Sequence, residues 1–206
     1  VQTSFGVVDY TVFIAPGLLA TSAMNGAIYD STWNVFFKLH ESKLYQGMLA
    51  TPLGPLDVAL GEMIWALLRG LGYALAFLIV TAPLGLVDGI HSIFAIPAAV
   101  IIAFAFASFG MAITSYFQTY QQMGSINLVI LPMFLFSGSL YPISVYPDWL
   151  EFIIRLLPTW QGIELVRSLW FGVWNGALLV QILYFAVMIT LGLYFTTRRL
   201  RHLFMR

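Results

Sequence analysis

The chain has 206 residues, 60% of them hydrophobic and 9% charged, with no net charge at neutral pH and a mean hydropathy of +0.88. Soluble domains carry about 25% charged residues, so an ordinary water-facing surface is excluded, and the charge balance offers no basic face for nucleic acid. Cysteine is absent, which excludes disulfides, thiolate metal sites and a cysteine nucleophile. The three histidines, His40, His91 and His202, lie far apart and suggest no metal cluster.

Apolar runs of about 20 residues recur along the length, the span an α-helix needs to cross a bilayer core of about 30 Å. The alternating strands of a membrane barrel are missing. The fold class expected is all-α, a single transmembrane domain over residues 1–206 with five visible transmembrane helices. The first span runs from Tyr10 to Phe37 and is the most polar, holding Asn25, Tyr29 and Asp30. Thr21, Asn25 and Tyr29 recur every fourth residue, with Ser22 close to that face, and so share one side of a helix. They either line a substrate path or bond to neighbouring helices.

A hydrophilic stretch follows from Lys38 to Gln46 and ends in Thr51-Pro52-Leu53-Gly54-Pro55; residues 38–56 read as a short amphipathic helix within a loop. The second span, Val58 to Leu86, opens with Asp57 as N-cap and breaks near Pro83 and Gly85. The third covers Ile93 to Phe117, after which Gln118-Thr119-Tyr120-Gln121-Gln122 turns the chain into the fourth, Met123 to Leu140. Residues 141–174 are too polar and proline-rich to face lipid, yet too apolar for a solvated loop. The fifth span, Asn175 to Phe195, ends at Arg198-Arg199-Leu200-Arg201-His202.

Positive loops stay on the cytoplasmic side. Five spans put Lys38, Lys43, Arg198, Arg199, Arg201 and Arg206 on one face and Arg155 and Arg167 on the other. The 38–56 loop and the C-terminus are therefore expected in the cytoplasm, and 141–174 outside. Val1 then falls outside, and since the chain opens without a methionine, an upstream span is expected, six in all. Arg69 lies near the cytoplasmic part of the second span, within snorkelling reach of the surface. Small residues at four-residue spacing, Ala66, Gly70 and Ala74 in the second span and Ala99, Ala103 and Ala107 in the third, mark helix contacts.

Enzyme chemistry finds little support. No G-x-x-x-x-G-K-[ST] loop is present, His40-Glu41 lacks the second histidine of H-E-x-x-H, and no Ser-His-Asp set can be assembled. Asp30 and Glu62 are the carboxylates nearest the membrane region, and intramembrane ionisable groups mark functional hypotheses. They serve either a proton or cation path, or as boundary carboxylates partnered with Lys38 or Arg69.

The most distinctive stretch is Phe134-Leu135-Phe136-Ser137-Gly138-Ser139-Leu140-Tyr141-Pro142, continuing through Tyr146-Pro147-Asp148-Trp149-Leu150 to Leu157-Pro158-Thr159-Trp160 and Arg167. Gly138 and Pro142 allow a helix to break, and the apolar pieces that follow are too short to span. A pair of short re-entrant helices fits, since irregular backbone cannot face lipid, with Trp149, Trp160, Trp170 and Trp174 at the interfacial belt.

The run from Pro132 to Arg167 resembles the signature region of type-2 ABC exporter permeases, most of all the small permeases of daunorubicin-resistance and nodulation lipo-oligosaccharide exporters. Leu49-Ala50-Thr51-Pro52-Leu53 and Gly61-Glu62 resemble that family's first cytoplasmic loop. The resemblance implies a multi-pass six-helix permease of the bacterial plasma (inner) membrane, working as a pair with a second permease copy or a homologous permease. Each would bind a separate ATPase subunit, so that ATP and Mg belong to that partner and this chain holds no cofactor, metal or catalytic residue of its own.

In that picture His40, Glu41, Lys43, Leu44, Tyr45, Met48 and Leu49 form the ATPase-coupling helix. Thr21, Asn25, Tyr29, Met133 and Phe134 line the substrate pathway, and Ser137, Gly138, Tyr141 and Pro142 belong to an external gate. The substrate would be amphipathic, lipid-linked or drug-like, moved by alternating access. Two other readings stay open: an ion-coupled carrier or channel using Asp30 or Glu62, and a structural subunit without a transport path.

Overall fold

The computed structural model describes residues 2–3, 6–87 and 89–204. Val1 and Arg206, both used in the topology reading above, lie outside the described residues. A two-residue antiparallel ladder, β1 (Gln2–Thr3) with β2 (Gly6–Val7), precedes a wholly helical body. The helices are α1 (Tyr10–Tyr29), α2 (Leu44–Leu49), α3 (Pro55–Thr81), α4 (Ala95–Thr114), α5 (Tyr120–Leu135), α6 (Asp148–Leu156), α7 (Pro158–Trp170) and α8 (Ala177–Phe204).

The first span is longer than the sequence suggests. Two π-helical turns, Asp30–Asn34 and Phe37–Glu41, continue α1 without a break from Tyr10 to Glu41. Ser31 Oγ and Thr32 Oγ1 both donate to the Ile28 carbonyl, at 3.2 and 2.6 Å. That oxygen is the one a regular helix would offer to the Thr32 amide, and hydroxyl competition of this kind loosens and bends helices. The break falls only at Ser42 and Lys43, where Lys43 has φ +50°, so His40 and Glu41 close α1 instead of belonging to a separate loop helix.

Asp57 is not the N-cap of the second span. Gly54 is, with Pro55 at the first helical position, and the Gly54 amide donates to Asp57 Oδ2 at 2.8 Å. Asp57 thus caps from the third helical position. The polar Gln118–Gln122 stretch likewise starts a helix more than it turns one: Gln122 Oε1 accepts from the amides of Gln118 and Thr119, at 2.8 and 3.3 Å. This box sets α5 going at Tyr120, and α5 ends at Leu135, five residues before its expected end. Its 16 residues span about 24 Å, short of a full hydrocarbon core. Among the described residues, four helices are long and apolar enough to cross a membrane: Tyr10–Glu41, Pro55–Thr81, Ile90–Thr114 and Ala177–Phe204. The chain is an all-α membrane protein, in which α5 is shorter than a span and the basic Arg198–His202 cluster rides inside α8 instead of following it.

α4 is the hub, in contact with α1, α3, α7 and α8. Ala99, Ala103 and Ala107 are fully buried, as are Ala66 and Ala74 of α3, and a methyl on Gly70 would stand 3.0 Å from that of Ala103. The two expected small-residue stripes therefore face each other. α8 approaches from the other side, where a Cβ on Gly192 would lie 2.6 Å from the Ser108 carbonyl carbon.

Two ion pairs join α1 to α3. Lys38 Nζ meets both oxygens of Glu62 at 2.8 Å, and Arg69 donates to Asp30 Oδ1 while lying over the Trp65 ring. Arg69 does not simply snorkel, and the two carboxylates take the two cations that the boundary reading offered, Glu62 with Lys38 and Asp30 with Arg69.

Replacing Gly192 by Val forces α4 and α8 apart and is expected to destabilise the protein by about 1–3 kcal/mol, seen as a lower Tm in detergent. Gly72→Ala, whose added methyl meets nothing within 4 Å, serves as the control and leaves Tm unchanged or slightly higher. For the ion pairs, Asp30→Ala strands a cation that is 37% exposed, so the expected loss is about 1 kcal/mol and not the several of a fully buried pair. The exchange Asp30→Arg with Arg69→Asp should recover part of it, whereas a double variant less stable than either single change would show that the pair is not the linkage.

Candidate functional site

Three regions collect the residues singled out in the sequence, and they lie along the length of the bundle. At the Lys43 end, α2 is a six-residue stub. Lys43 and Leu44 are exposed, Met48 and Leu49 half-buried, and Tyr45 fully buried. Tyr45 packs among Val35, Leu39, Val58, Ala59 and Met63. Burial, reinforced by the nearby Glu62 carboxylate, raises its phenol above the ordinary value, so it stays neutral. Tyr45 is thus an anchor and offers no contact face; the free face belongs to Lys43 and Leu44. His40 and Glu41 are tied inward, His40 Nε2 lying 2.9 Å from the Phe117 carbonyl oxygen and Glu41 Oε1 accepting from the Tyr120 hydroxyl at 3.1 Å.

Midway along the bundle, α5 stands off from its neighbours. Met123 is its one buried residue among those described. Between α5 and the facing sides of α1, α4 and α8 lies an apolar cavity of about 860 Å³, lined among others by Ile28, Phe109, Ile113, Val129, Met133 and Met188. Its few polar neighbours are mostly occupied: Thr32 bonds to Ile28, and the Tyr184 hydroxyl donates to the Leu156 carbonyl at 3.2 Å. Such a lining suits hydrocarbon and has little to hold water.

Of the five residues expected on a pathway, only Met133 lines this cavity. Thr21 is buried, its hydroxyl donating to the Gly17 carbonyl at 2.9 Å. Asn25 and Tyr29 are exposed on the outer face of α1, Tyr29 at 66%. Phe134 is half-buried, and its carbonyl accepts from Ser137 Oγ at 2.6 Å. One helical face therefore divides between core and surface, because α3, α4 and α7 crowd α1 unequally along its length.

At the far end, the Ser137-Gly138-Ser139 turn is buried. Gly138 takes φ +73°, a left-handed conformation that glycine adopts at little cost. With its proton on the Phe134 carbonyl, Ser137 Oγ accepts from the Ser139 hydroxyl at 3.1 Å and from the Ser139 amide at 3.3 Å. Tyr141 is exposed and Pro142 half-buried, leading through a short 3₁₀ turn, Ile143–Val145, into α6 and α7. The expected pair of short helices is present, with Pro158 starting the second. Trp149 and Trp174 are exposed, but Trp170 is completely buried, which removes it from any interfacial belt.

Arg167 is the residue that sequence reasoning missed. Counted there as a loop charge, it is 3% exposed and donates through Nη2 to the carbonyls of Gly138 and Ser139, at 2.8 and 3.2 Å. Its guanidinium carbon lies 3.9 Å from the centre of the Phe13 ring. Burial pulls Arg167 down to about 10, with Glu164 acting in the opposite sense, so it remains a cation at neutral pH. An arginine in a helix of otherwise buried small and apolar residues was the available signal. No group of His, Asp and Glu suited to a metal ion occurs among the described residues.

Comparison with known proteins bears on the family of the chain. The family model for ABC-2 type transporters matches residues 1–171. Nodulation protein J of Rhizobium leguminosarum bv. trifolii is 33% identical over 173 residues, 81% of this chain and 64% of that protein. The corresponding protein of R. leguminosarum bv. viciae is 34% identical over 171 residues, 80% and 64% of the two chains. That of Neorhizobium galegae is 33% identical over 168 residues, 81% and 64%. The chain spans about 64% of the length of these curated relatives. With a family match over most of its residues and a helical bundle to carry it, the chain belongs to the ABC-2 type transporter family.

Proposed function

We propose that this chain is the transmembrane subunit of an ATP-driven exporter that moves an amphipathic, lipid-linked or drug-like molecule out of the cytoplasm or inner leaflet. The observation that carries the reading is the anchored stub α2. Its exposed Lys43 and Leu44 suit contact with a separate ATPase subunit. Its buried Tyr45 sits beside Glu62, at the start of the two ion pairs that join α1 to α3. A push on α2 thus reaches two spans at once. ATP and Mg belong to the partner, and the 38–56 segment and the C-terminus face the cytoplasm of a bacterial cell.

The apolar cavity supports a substrate with a hydrocarbon part, and Met133 is its contact from the signature stretch. Asn25 and Tyr29, exposed on α1, meet the polar part across the junction with a second permease copy. The 141–174 stretch serves as the external gate. Driving such a switch from about 1:99 to 99:1 takes roughly 5.5 kcal/mol of differential binding, within reach of two nucleotides on two ATPase subunits. An ion-coupled carrier is disfavoured because Asp30 and Glu62 each already face a cation.

The test reconstitutes the permease with a candidate ATPase subunit from the same organism and follows ATP-dependent translocation of a fluorescent single-chain glycolipid analogue. Leu44→Pro and Tyr45→Ala are each expected to cut translocation roughly tenfold, the effect of about 1.4 kcal/mol of lost coupling, while ATP hydrolysis persists. Full coupling in both variants overturns the role of α2. Gradient-driven flux without the ATPase makes the protein a carrier instead, and a complex that forms but moves no probe makes it a structural subunit.

A further inference from the structure

The Ser137–Ser139 turn joins a helix that is scarcely held to a pair of helices that is firmly held. α5 contributes one buried residue, Met123 near its start, and leaves a large cavity along its middle. Pro132 then removes an amide donor three residues before the helix ends. α7, in contrast, buries eight of its thirteen residues and packs on α1, α4 and α8. Ile130 and Met133 pack part-buried on the core and the Thr159 hydroxyl reaches the Met133 carbonyl at 3.4 Å, but the strongest polar tie comes at the turn, where the Gly138 and Ser139 carbonyls both receive Arg167.

The contact is tight on its third side as well. A Cβ added at Gly17 would lie 3.1 Å from the Ser139 carbonyl oxygen and 3.3 Å from Arg167 Nη2, while Phe13, one turn earlier on α1, supports the guanidinium face. The cation thus ties together α1, α7 and the end of α5. Its direct partners are two neutral carbonyls and a ring; the Glu164 carboxylate, one turn earlier on α7, favours the cation from beyond ion-pair distance. Nε is buried with no hydrogen-bond partner. A cation held this way is less than fully satisfied, and moving it toward water recovers what it lacks. Those are the properties of a contact made to open, as opposed to a permanent brace.

We propose that Arg167 is a positioning residue, a latch that clamps the Ser137–Ser139 turn to α1 and α7 and whose release frees the late end of α5 beside the apolar cavity. The structural half stands on its own; the part played in transport rests on the exporter reading given above.

Because the chain has no cysteine, a single introduced thiol reports cleanly. Ser139→Cys keeps the carbonyl that Arg167 uses and places a thiol at a site 1% exposed. Its reaction with a water-soluble maleimide in permeabilised membranes is expected to be slow. Adding Arg167→Leu should speed it at least about tenfold, equivalent to about 1.4 kcal/mol of lost closure, with Arg167→Lys falling between, since a lysine keeps the charge but not the planar fork. Gly17→Ala crowds the same contact without altering charge and should act in the same direction, which covers the case in which the Leu variant fails to insert. Unchanged labelling in the inserted Arg167→Leu and Gly17→Ala proteins overturns the latch.

The transport half is read separately. Gly17→Cys crowds the contact as Gly17→Ala does, so in a Gly17→Cys, Ser139→Cys pair, whose first Cβ starts 3.2 Å from the second Cα, it is the oxidised disulfide and not the arginine that holds the turn closed. With the ATPase present, oxidation should stop ATP-driven movement of the glycolipid analogue and reduction should restore it. If labelling behaves as expected yet the oxidised protein still transports, the gate assignment of this end is wrong and the latch is merely structural.

Discussion

Everything in this bundle depends on how closely other helices can approach α4. In lipid no hydrophobic force drives one helix against another, because hydrocarbon tails are as apolar as leucine, so dispersion at short range must do the holding. α4 meets that requirement with a side-chain coat of alanine, serine and glycine: Ala95, Ala99, Ala103, Ala107, Ser108 and Gly110 are all buried. Where the facing residue is also small, as at Gly70 or Gly192, backbones come almost into contact. Where the facing helix carries Leu, Val and Ile throughout, as α5 does over Leu128–Leu131, the gap stays open and a cavity results.

That contrast divides the molecule into a rigid part and a looser one. α1, α3, α4, α7 and α8 share one continuous cluster of buried side chains. α5 is attached by Tyr120 and Met123 at its start, by the part-buried Ile126, Ile130 and Met133 along one side, and by the serine turn at its finish. A helix that holds its middle to the core through a few part-buried side chains can bow or swing at small cost to the core, because most of its motion trades lipid contact for lipid contact. The ion pairs between α1 and α3 act in the opposite sense, since the buried Asp30 and the part-buried Lys38, Glu62 and Arg69 are costly to separate once withdrawn from water.

Much of this was legible in the residues. The four long spans follow from hydropathy alone, the facing stripes of α3 and α4 from four-residue spacing, and the two short helices near Pro158 from apolar runs too short to cross. Asp30 and Glu62 met the two cations the residues offered, but crosswise between α1 and α3, Asp30 with Arg69 and Glu62 with Lys38, which proximity along the chain does not suggest. Local capping was harder. Asp57 and the Gln118–Gln122 run carry the right residue types, but choosing the cap position requires knowing which backbone amides are left over. The π-helical extension to Glu41 was hidden for a similar reason: hydroxyl competition at Ile28 is a matter of geometry, and a polar stretch such as Lys38–Glu41 reads as the end of a span even where the helix continues.

The failures at Thr21, Trp170 and Arg167 share a physical cause. Residue type predicts what a side chain prefers, whereas burial depends on which neighbours the rest of the chain brings up. Thr21 lies on a face with Asn25 and Tyr29, yet it alone lies where that face is covered, and it satisfies its hydroxyl within its own helix. Trp170 has an interfacial preference in general but is enclosed in the core here. For Arg167 the difference changes the argument altogether. As a surface charge it would count toward membrane topology; as a buried cation with two carbonyl partners it becomes the joint between a mobile helix and a fixed one. The charge is the same in both cases, and only the absence of water around it gives it a mechanical role.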